Sequence, residues 1–251
     1  MSRSAQHACG AFTNGINVNT RGYVWSATTG FADIGVPAGF ASFTAGELSD
    51  DGRVVVGNAR VVNPPSQSAF APFVWTHGSS YRALPLPAPA IKGLVRDVTA
   101  DGVLASGHVG DTINFTNARA VVWTPQGVFT VAQLAADAGV NVANLNFLTA
   151  DVIAADGSFI MGSGSRRVGA SFVLDTYILR NVFIPRCDGI DFNRNTVFPE
   201  DQDIIDFFSV LSGGACSTGP SCSDGDFNNN GMHPEDADVI DFLDVLAGGR
   251  C

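Results

Sequence analysis

The sequence predicts a mainly β protein, built from propeller-like repeats of four short strands and followed by a small α domain of two loop–helix repeats. Three observations lead to this prediction. Tryptophans and Asp-Gly turns recur about every 50 residues in the first part of the chain. Acidic residues are concentrated after residue 186. That acidic segment is an internal duplication framed by cysteines.

Composition sets the broad class. The 251 residues are 45% hydrophobic and 15% charged, which excludes a disordered chain. The net charge of −10 argues against nucleic-acid binding, and no apolar run reaches the ~18 residues of a membrane-spanning helix. The segment from Cys187 to Cys251 holds 13 Asp/Glu and only two Arg. Such a local imbalance indicates two domains, 1–181 and 187–251, joined near residues 181–186.

Each repeat of the first domain combines a Trp-containing strand, an Asp-Gly turn and a strand with a central glycine. The tryptophans are Trp25, Trp75 and Trp123, the turns end at Gly52, Gly102 and Gly157, and the strand glycines are Gly57, Gly107 and Gly162. One Trp per repeat favours a role in the core over carbohydrate stacking. Between the third Trp and its turn, residues 131–139 have helical periodicity.

An incomplete fourth copy opens the chain, because Gly10 precedes Trp25 by about the same interval as in the later copies. We therefore expect an N-terminally incomplete array. Three full units are fewer than the four to eight blades of a closed propeller. The sequence predicts a partial or open assembly, completed by missing residues or by another chain. An ordinary β-sandwich is the alternative.

These repeats resemble the HAF family of extracellular repeats, with its A-x-x-W…G…ADG…VVG pattern, over about residues 10–165. The resemblance implies a secreted scaffold and no particular reaction. The segment after Gly164, SFVLDTYILRN, lacks the Trp of the pattern. It is expected to form a terminal strand.

The acidic domain repeats itself with an offset of 35 residues, from Cys187 to Cys216 and from Cys222 to Cys251. Asp and Asn occupy loop positions 1, 3 and 5, a spacing that lets short side chains converge on a hard cation such as Ca²⁺. Position 7 would contribute a main-chain carbonyl and position 13 a closing carboxylate. The predicted ligands for up to two Ca²⁺ ions are Asp191, Asn193, Asn195, Val197 and Asp203 in the first repeat, and Asp226, Asn228, Asn230, Met232 and Asp238 in the second.

Two features of the loops depart from an EF-hand. The closing carboxylate falls at position 13 rather than 12, so Asp201 and Asp236 remain alternatives at position 11. Position 6 is Gly231 in the second loop but Thr196 in the first, which predicts strain or weaker binding there. Solvated acids with ordinary turn-forming asparagines are the competing interpretation.

A helix is predicted after each loop. Pro199 and Pro234 suit a first helical turn, and acidic residues beside them complement the helix dipole. The apolar faces are expected to be Ile204, Phe207, Phe208 and Leu211, and Val239, Ile240, Phe242, Leu243 and Leu246. Gly-Gly pairs end both helices.

Four of the five cysteines frame the repeats, which indicates disulfides and an oxidising compartment. Repeat symmetry favours the pairs Cys187–Cys216 and Cys222–Cys251. The pairs Cys187–Cys251 and Cys216–Cys222 are the alternative. The spacing does not suit a zinc site. No signal-peptide core is visible at the start, which conflicts with export and indicates a truncated N-terminus.

The tail resembles a duplicated dockerin, specifically the Gly-Gly-x-Cys-ending type of planctomycete surface proteins. Here position 5 is Asn in both repeats, where dockerins have Asp, so each site loses one charge. The resemblance implies anchoring to a surface or cohesin-like receptor, an extracellular or cell-surface location and no catalysis. No nucleophile, metalloprotease or phosphate-binding motif contradicts this. The predicted function is a non-enzymatic exported protein. The alternative is an accessory or catalytic component of extracellular polysaccharide degradation.

Overall fold

The computed structural model describes residues 2, 5–13, 20–61, 70–111, 117–180, 182, 184–219, 222–230 and 232–249. The chain divides into two compact units. The first, called the body, comprises Met1–Trp123 and Gly127–Ile184. The second, called the tail, comprises Thr124–Gln126 and Pro185–Cys251. The prediction of a mainly β protein with short helices is confirmed.

The body contains fifteen strands among the described residues. They are β1 (His7–Thr13), β2 (Thr20–Ser26), β3 (Gly30–Gly35), β4 (Phe40–Leu48), β5 (Val54–Val61), β6 (Phe70–Thr76), β7 (Tyr81–Ala83), β8 (Lys92–Val98), β9 (Ala105–Gly110), β10 (Arg119–Thr124), β11 (Gly127–Thr130), β12 (Leu145–Phe147), β13 (Val152–Ile153), β14 (Phe159–Val168) and β15 (Ser171–Arg180). The helix α1 (Val131–Asp137) lies where the sequence predicts it, with Thr130 as its N-cap.

The strands form four antiparallel sheets. The first sheet has the order β1-β2-β3, the second β4-β5-β6-β7 and the third β8-β9-β10-β11. In the fourth, β12 and β13 both pair with β14, and β15 pairs with β14 on the other side. The prediction of four strands per repeat therefore holds for the second and third sheets. In the fourth, the first strand of the repeat is broken into two short pieces. No strand pairing joins one sheet to another among the described residues.

The same turn recurs in all four copies of the body repeat. A backbone hydrogen bond closes it from Ser2 to His7, from Ser49 to Val54, from Thr99 to Leu104 and from Ala154 to Phe159. Its fourth residue has positive φ in each copy, namely Ala5, Gly52, Gly102 and Gly157. Ser2, Ala5 and His7 therefore belong to the same copy of the repeat as Gly10 and Trp25.

Successive turns are joined to each other. The Asp50 N–H donates to the Ala100 carbonyl at 2.8 Å, and the Ala100 N–H donates to the Ala155 carbonyl at 2.9 Å. These three residues hold the same position in successive copies. The hydrogen bonds therefore tie neighbouring repeats together in one register.

The strand glycines are required by a close backbone approach. A Cβ at Gly57, Gly107 or Gly162 would collide with the carbonyl oxygen of the neighbouring strand or segment. A register shift lies beside this point in two of the sheets, between Ala45 and Glu47 and between Val95 and Asp97. The repeated glycine of the sequence therefore marks a β-bulge.

The sheets pack against one another in chain order, because alternate residues of a strand face opposite neighbours. Val55 lies in the core shared by the first and second sheets, and Val56 lies in the core shared by the second and third. In the same way, Val121 lies in the core between the second and third sheets, and Val122 lies in the core between the third and fourth. Three apolar cores of this kind hold the body together.

The tryptophan prediction is confirmed at one position only. Trp123 is 2% exposed and donates its indole N–H to the Pro85 carbonyl at 2.7 Å. Trp75 is half-buried at the junction of the first and second sheets. Trp25 is 39% exposed, because its face of the first sheet is not covered by another sheet among the described residues. In the fourth sheet, Leu179 pairs with Ile160 at the register position that the Trp occupies elsewhere.

The tail contains two helices, α2 (Asp201–Leu211) and α3 (Asp236–Leu246). Each begins with a reciprocal capping box between an N-cap Glu and an Asp three residues later. Pro199 and Pro234 lie just before the N-caps rather than in the first turn. The helices end before Gly213 and Gly248, whose positive φ values are 81° and 84°.

Four buried phenylalanines form the centre of the tail: Phe192, Phe207, Phe227 and Phe242. The two repeats also exchange equivalent hydrogen bonds. The Asp188 N–H donates to the Phe227 carbonyl at 2.8 Å, and the Ser223 N–H donates to the Phe192 carbonyl at 3.1 Å. Each bond is the other shifted by the 35-residue offset. The repeats therefore pack as a pseudo-symmetric pair.

The favoured disulfide pairing is wrong. Cys216 is bonded to Cys222 across the short link between the repeats, six residues apart. Cys187 is buried and also disulfide-bonded. Cys9 is free. Repeat symmetry misled the prediction because the repeats pair with each other, which brings the end of one close to the start of the next.

Candidate metal-binding loops

The first loop is organised by side-chain oxygens that accept backbone hydrogen bonds. Oδ1 atoms of both Asp191 and Asn193 accept from the Asn195 N–H at 3.0 Å. Asp191 Oδ2 accepts from the Thr196 N–H at 2.9 Å, and Asn195 Oδ1 accepts from the Val197 N–H at 2.7 Å. The side chains at positions 1, 3 and 5 therefore turn inward around one loop.

The second loop repeats this pattern. Oδ1 atoms of Asp226 and Asn228 accept from the Asn230 N–H at 3.0 and 3.1 Å. Asn230 Oδ1 accepts from the Met232 N–H at 2.8 Å. Gly231, at position 6, lies outside the described residues. Val197 and Met232 were predicted to contribute main-chain carbonyls. In the structure, their N–H groups donate hydrogen bonds to Asn195 and Asn230.

The residue at position 13 closes each loop from the following helix. Asp203 is fully buried and accepts from the Asn193 N–H at 3.3 Å and from the Glu200 N–H at 3.4 Å. Asp238 is fully buried too and accepts from the Glu235 N–H at 3.2 Å. The position-11 alternatives, Asp201 and Asp236, are exposed on the first helical turn.

One carboxylate oxygen is left over. Asp238 Oδ1 is buried and has no hydrogen-bond partner among the described residues. Burial raises the pKa of Asp238, and the nearby charges of Asp226 and Glu235 raise it further, although backbone N–H groups partly offset this. Burial raises the pKa of Asp203 in the same way. A buried anionic oxygen without a donor is costly unless a cation compensates it.

Glu200 and Glu235 also contribute to the loops, although the spacing of the Asp and Asn residues does not predict it. Glu200 Oε1 accepts from the side-chain amides of Asn193 at 3.2 Å and Asn195 at 2.5 Å. Glu235 holds the corresponding place in the second loop, where its Oε1 accepts from the Asn230 amide. Their signal was the capping-box spacing of Glu and Asp, which was interpreted only as a complement to the helix dipole.

Position 6 of the first loop has a left-handed backbone. Thr196 has φ of +71°, a conformation that is unfavourable for a β-branched residue. The predicted strain at this position is therefore present in the first loop. Arg194 and Asn229, at position 4 of the two loops, also have positive φ, at +56° each.

The geometry of the other candidate cluster does not suit a metal. Asp206, Cys216 and Cys222 bring possible ligand atoms within 4.8 Å of one another. The two cysteines form the disulfide, and Asp206 instead accepts hydrogen bonds from the N–H and hydroxyl of Ser217 at 2.8 and 2.5 Å. This group therefore stabilises the link between the repeats.

The helices also expose apolar side chains in matched pairs. In α2, Ile205 is 58% and Phe208 42% exposed, and in α3, Ile240 is 64% and Leu243 45% exposed. The second pair is the first pair shifted by 35 residues. The predicted apolar faces were therefore wrong for Phe208, Ile240 and Leu243, which point to solvent because Phe207 and Phe242 occupy the core.

No helix among the described residues is both long and apolar enough to cross a membrane. No family model matches the sequence, and no curated protein does. Among solved structures, the chain is similar to TolB from Acinetobacter baumannii, with 13% sequence identity and a TM-score of 0.41. The similarity covers 70% of this chain and 38% of that one, so this chain matches well under half of TolB.

Proposed function

We propose that the tail is a calcium-binding docking module, which anchors an exported, non-enzymatic β-repeat body to a protein receptor. The observation that carries the proposal is the buried Asp238 Oδ1, which has no hydrogen-bond donor within the described part of the chain, in a loop whose other oxygens face inward. Residues at positions 1, 3, 5 and 13 of each loop would hold one Ca²⁺. Calcium suits such a set because it takes carboxylate and amide oxygens in flexible geometry.

The donor set fits the ion in chemistry as well as in position. Every side chain in the set offers an oxygen ligand. In the second loop, two of these ligands are the carboxylates of Asp226 and Asp238. Bound calcium would supply charge neutralisation, so that ion binding and folding of the tail are coupled. Without the ion, the acids of each loop repel each other and Asp238 Oδ1 remains unsatisfied.

The matched apolar pairs support docking. Apolar side chains that are exposed next to each other form a patch typical of an interaction surface, and the two members of each pair are neighbours three residues apart on one helix. Because the pairs Ile205–Phe208 and Ile240–Leu243 are related by the repeat, the tail would present one surface twice. The receptor would accordingly offer an apolar face to these pairs.

For the body, we propose a propeller-like arrangement of its four sheets. The equivalent turns with their connecting hydrogen bonds, and the cores formed only between consecutive sheets, support it. The disulfide supports export to an oxidising compartment.

The test is hydrogen-exchange mass spectrometry of the full chain with and without Ca²⁺. We expect calcium to slow exchange in peptides covering 187–249 and to leave the body unchanged. Asp238→Ala should remove most of this protection, while Asp236→Ala, which changes an exposed carboxylate two residues away, should preserve it. Equal exchange in calcium and in EDTA would overturn the proposal.

A further inference from the structure

The two terminal sheets of the body each expose an apolar face. The start face, on the first sheet, carries Phe12, Tyr23, Trp25 and Phe31. The Phe31 ring lies 5.2 Å from Phe12 and 5.1 Å from Tyr23, yet Phe31 is 57% exposed. The end face, on the fourth sheet, carries Met161, Phe172, Leu174 and Ile178. Phe172, Leu174 and Ile178 are 60%, 78% and 53% exposed.

The start face has a buried counterpart inside the chain. Trp25 pairs with Phe31 in the first sheet just as Trp75 pairs with Tyr81 in the second. Trp75 and Tyr81 pack in the core between the first two sheets, and the Tyr81 hydroxyl donates to the Gly35 carbonyl of the first sheet at 3.2 Å. The start face is therefore the side of the repeat that normally receives a preceding sheet.

The end face has a buried counterpart as well. Met161 pairs with Ile178 in the fourth sheet, at the position where Val56 pairs with Val74 in the second. Val56 and Val74 are 1% and 7% exposed, in the core between the second and third sheets. The end face is therefore the side of the repeat that normally receives a following sheet.

We propose that the start face of one copy of this chain packs on the end face of a second copy, and that two such junctions close a dimer. The contact continues the packing that already joins successive sheets three times within one chain. The turn beside the end face fits this continuation, because the Ala155 N–H has no acceptor among the described residues, whereas the equivalent Asp50 and Ala100 N–H groups donate to the next turn.

The area of the faces favours closure over an open chain. Three strands of seven residues span about 14 Å by 23 Å, so one junction removes roughly 600 Å² from both partners together. That is below the size of a specific interface, whereas two junctions reach roughly 1,200 Å². A head-to-tail contact either closes or polymerises, and two copies supply eight sheets, within the four to eight of closed propellers.

The experiment is light scattering after gel filtration of the full chain at micromolar concentration. The wild type should have twice the 26.2 kDa chain mass. Phe31→Glu on the start face and Leu174→Glu on the end face should each halve the measured mass. The matched control is Ile91→Glu, which changes a residue 62% exposed between the second and third sheets and should leave the dimer intact.

Mixing the two variants identifies the orientation of the contact. Phe31→Glu keeps a native end face and Leu174→Glu keeps a native start face, so a mixed pair has one native and one doubly substituted junction. The mixture should therefore associate more weakly than the wild type, at concentrations where neither variant associates alone. Trp25→Arg and Ile178→Lys repeat the test, and circular dichroism spectra identical to wild type show that each variant is folded. A monomeric wild type, an open series of larger masses, or dissociation by a variant of one face only would overturn the proposal.

Discussion

The rings of Phe207 and Phe242 stack face to face, with centroids 4.0 Å apart and planes inclined by 8°. The two residues are equivalent in the 35-residue repeat, and both are fully buried. Phe192 and Phe227 contact this pair edge to face. The tail thus has one shared aromatic core, and neither repeat encloses a core of its own. This explains why a repeat of about 30 residues is duplicated.

Truncating this stack should unfold both repeats together. Phe242→Ala removes a fully buried ring, and we expect a loss of about 3–5 kcal/mol of tail stability. Hydrogen exchange of the full chain in Ca²⁺ should then show loss of protection in both α2 and α3. The matched control is Phe208→Ala, which shortens a ring 42% exposed and should cost far less. Loss confined to α3 would contradict the shared core.

The left-handed Thr196 should weaken the first loop. Thr196→Gly removes the cost of a β-branched residue at φ of +71° and should stabilise the calcium-bound tail by about 1 kcal/mol. Thr196→Ala retains most of that cost and serves as the control. Calcium titration should show the first site becoming tighter in Thr196→Gly alone. Equal affinities in both variants would show that the backbone strain does not limit binding.

The charge on Asp238 should oppose folding when no calcium is present. Asp238→Asn removes a buried charge whose Oδ1 accepts no hydrogen bond from any described residue, so the calcium-free tail should become more stable. The same substitution removes a proposed ligand, so calcium affinity should fall at least tenfold. Exchange in EDTA and calorimetric titration measure the two effects separately. If the substitution stabilised the calcium-free tail and also left calcium affinity unchanged or increased it, Asp238 would not be a ligand.

Asp188 should make the calcium-free tail more stable at mildly acidic pH. The pKa of Asp188 is raised to about 6, chiefly by burial. Hydrogen bonds from Asn229 and Ser223 and the charge of Arg194 lower this pKa, and the charge of Asp224 raises it. A carboxyl with a raised folded-state pKa binds its proton more tightly when folded. Its contribution is therefore complete below the unfolded pKa and is lost as pH rises through 6.

The expected gain from pH 7.5 to pH 5 is on the order of 1 kcal/mol. Urea unfolding of the full chain in EDTA, monitored by hydrogen exchange in peptides of the tail, measures this gain in stability. Asp188→Asn should reduce the pH dependence, because the amide cannot titrate, while Asp203 and Asp238, whose pKa values burial also raises, keep their own contribution. If stability instead falls as pH drops to 5, the assignment of Asp188 is wrong.

The glycines of the body should tolerate substitution very differently. Gly57→Ala would force a Cβ into the Thr44 carbonyl, so we expect severe destabilisation or failure to fold. Gly46→Ala places its Cβ 3.7 Å from the Val56 carbonyl, an ordinary contact, and should change the melting temperature little. Thermal unfolding followed by tryptophan fluorescence compares the two, since every Trp lies in the body. Similar melting temperatures would contradict the bulge assignment.

Local patterns in the sequence predicted the repeats well. The Asp-Gly turns, the strand glycines and α1 all lie where spacing and periodicity place them, because each depends on a short stretch of chain. The Asp/Asn positions of the tail also form two equivalent loops. These features are local, and period and turn chemistry are sufficient to locate them.

Features that depend on the packing of one repeat on another were predicted less well. The Cys216–Cys222 bond belongs to the pairing that was predicted only as the alternative. The exposed Phe208 and Trp25 were expected in the core, and both result from which neighbour covers which face. The roles of Glu200 and Glu235 were missed for a related reason, since a capping residue and a loop residue share one sequence signature. Such features require the tertiary arrangement, which no single repeat encodes.

The central claim, that the tail loops bind calcium, is tested most directly by calorimetric titration of the EDTA-treated full chain with CaCl₂. We predict binding of two ions per chain, with the second loop tighter than the first, and loss of one site in Asp238→Ala. Absence of binding heat, together with unchanged exchange in the tail, would contradict the account.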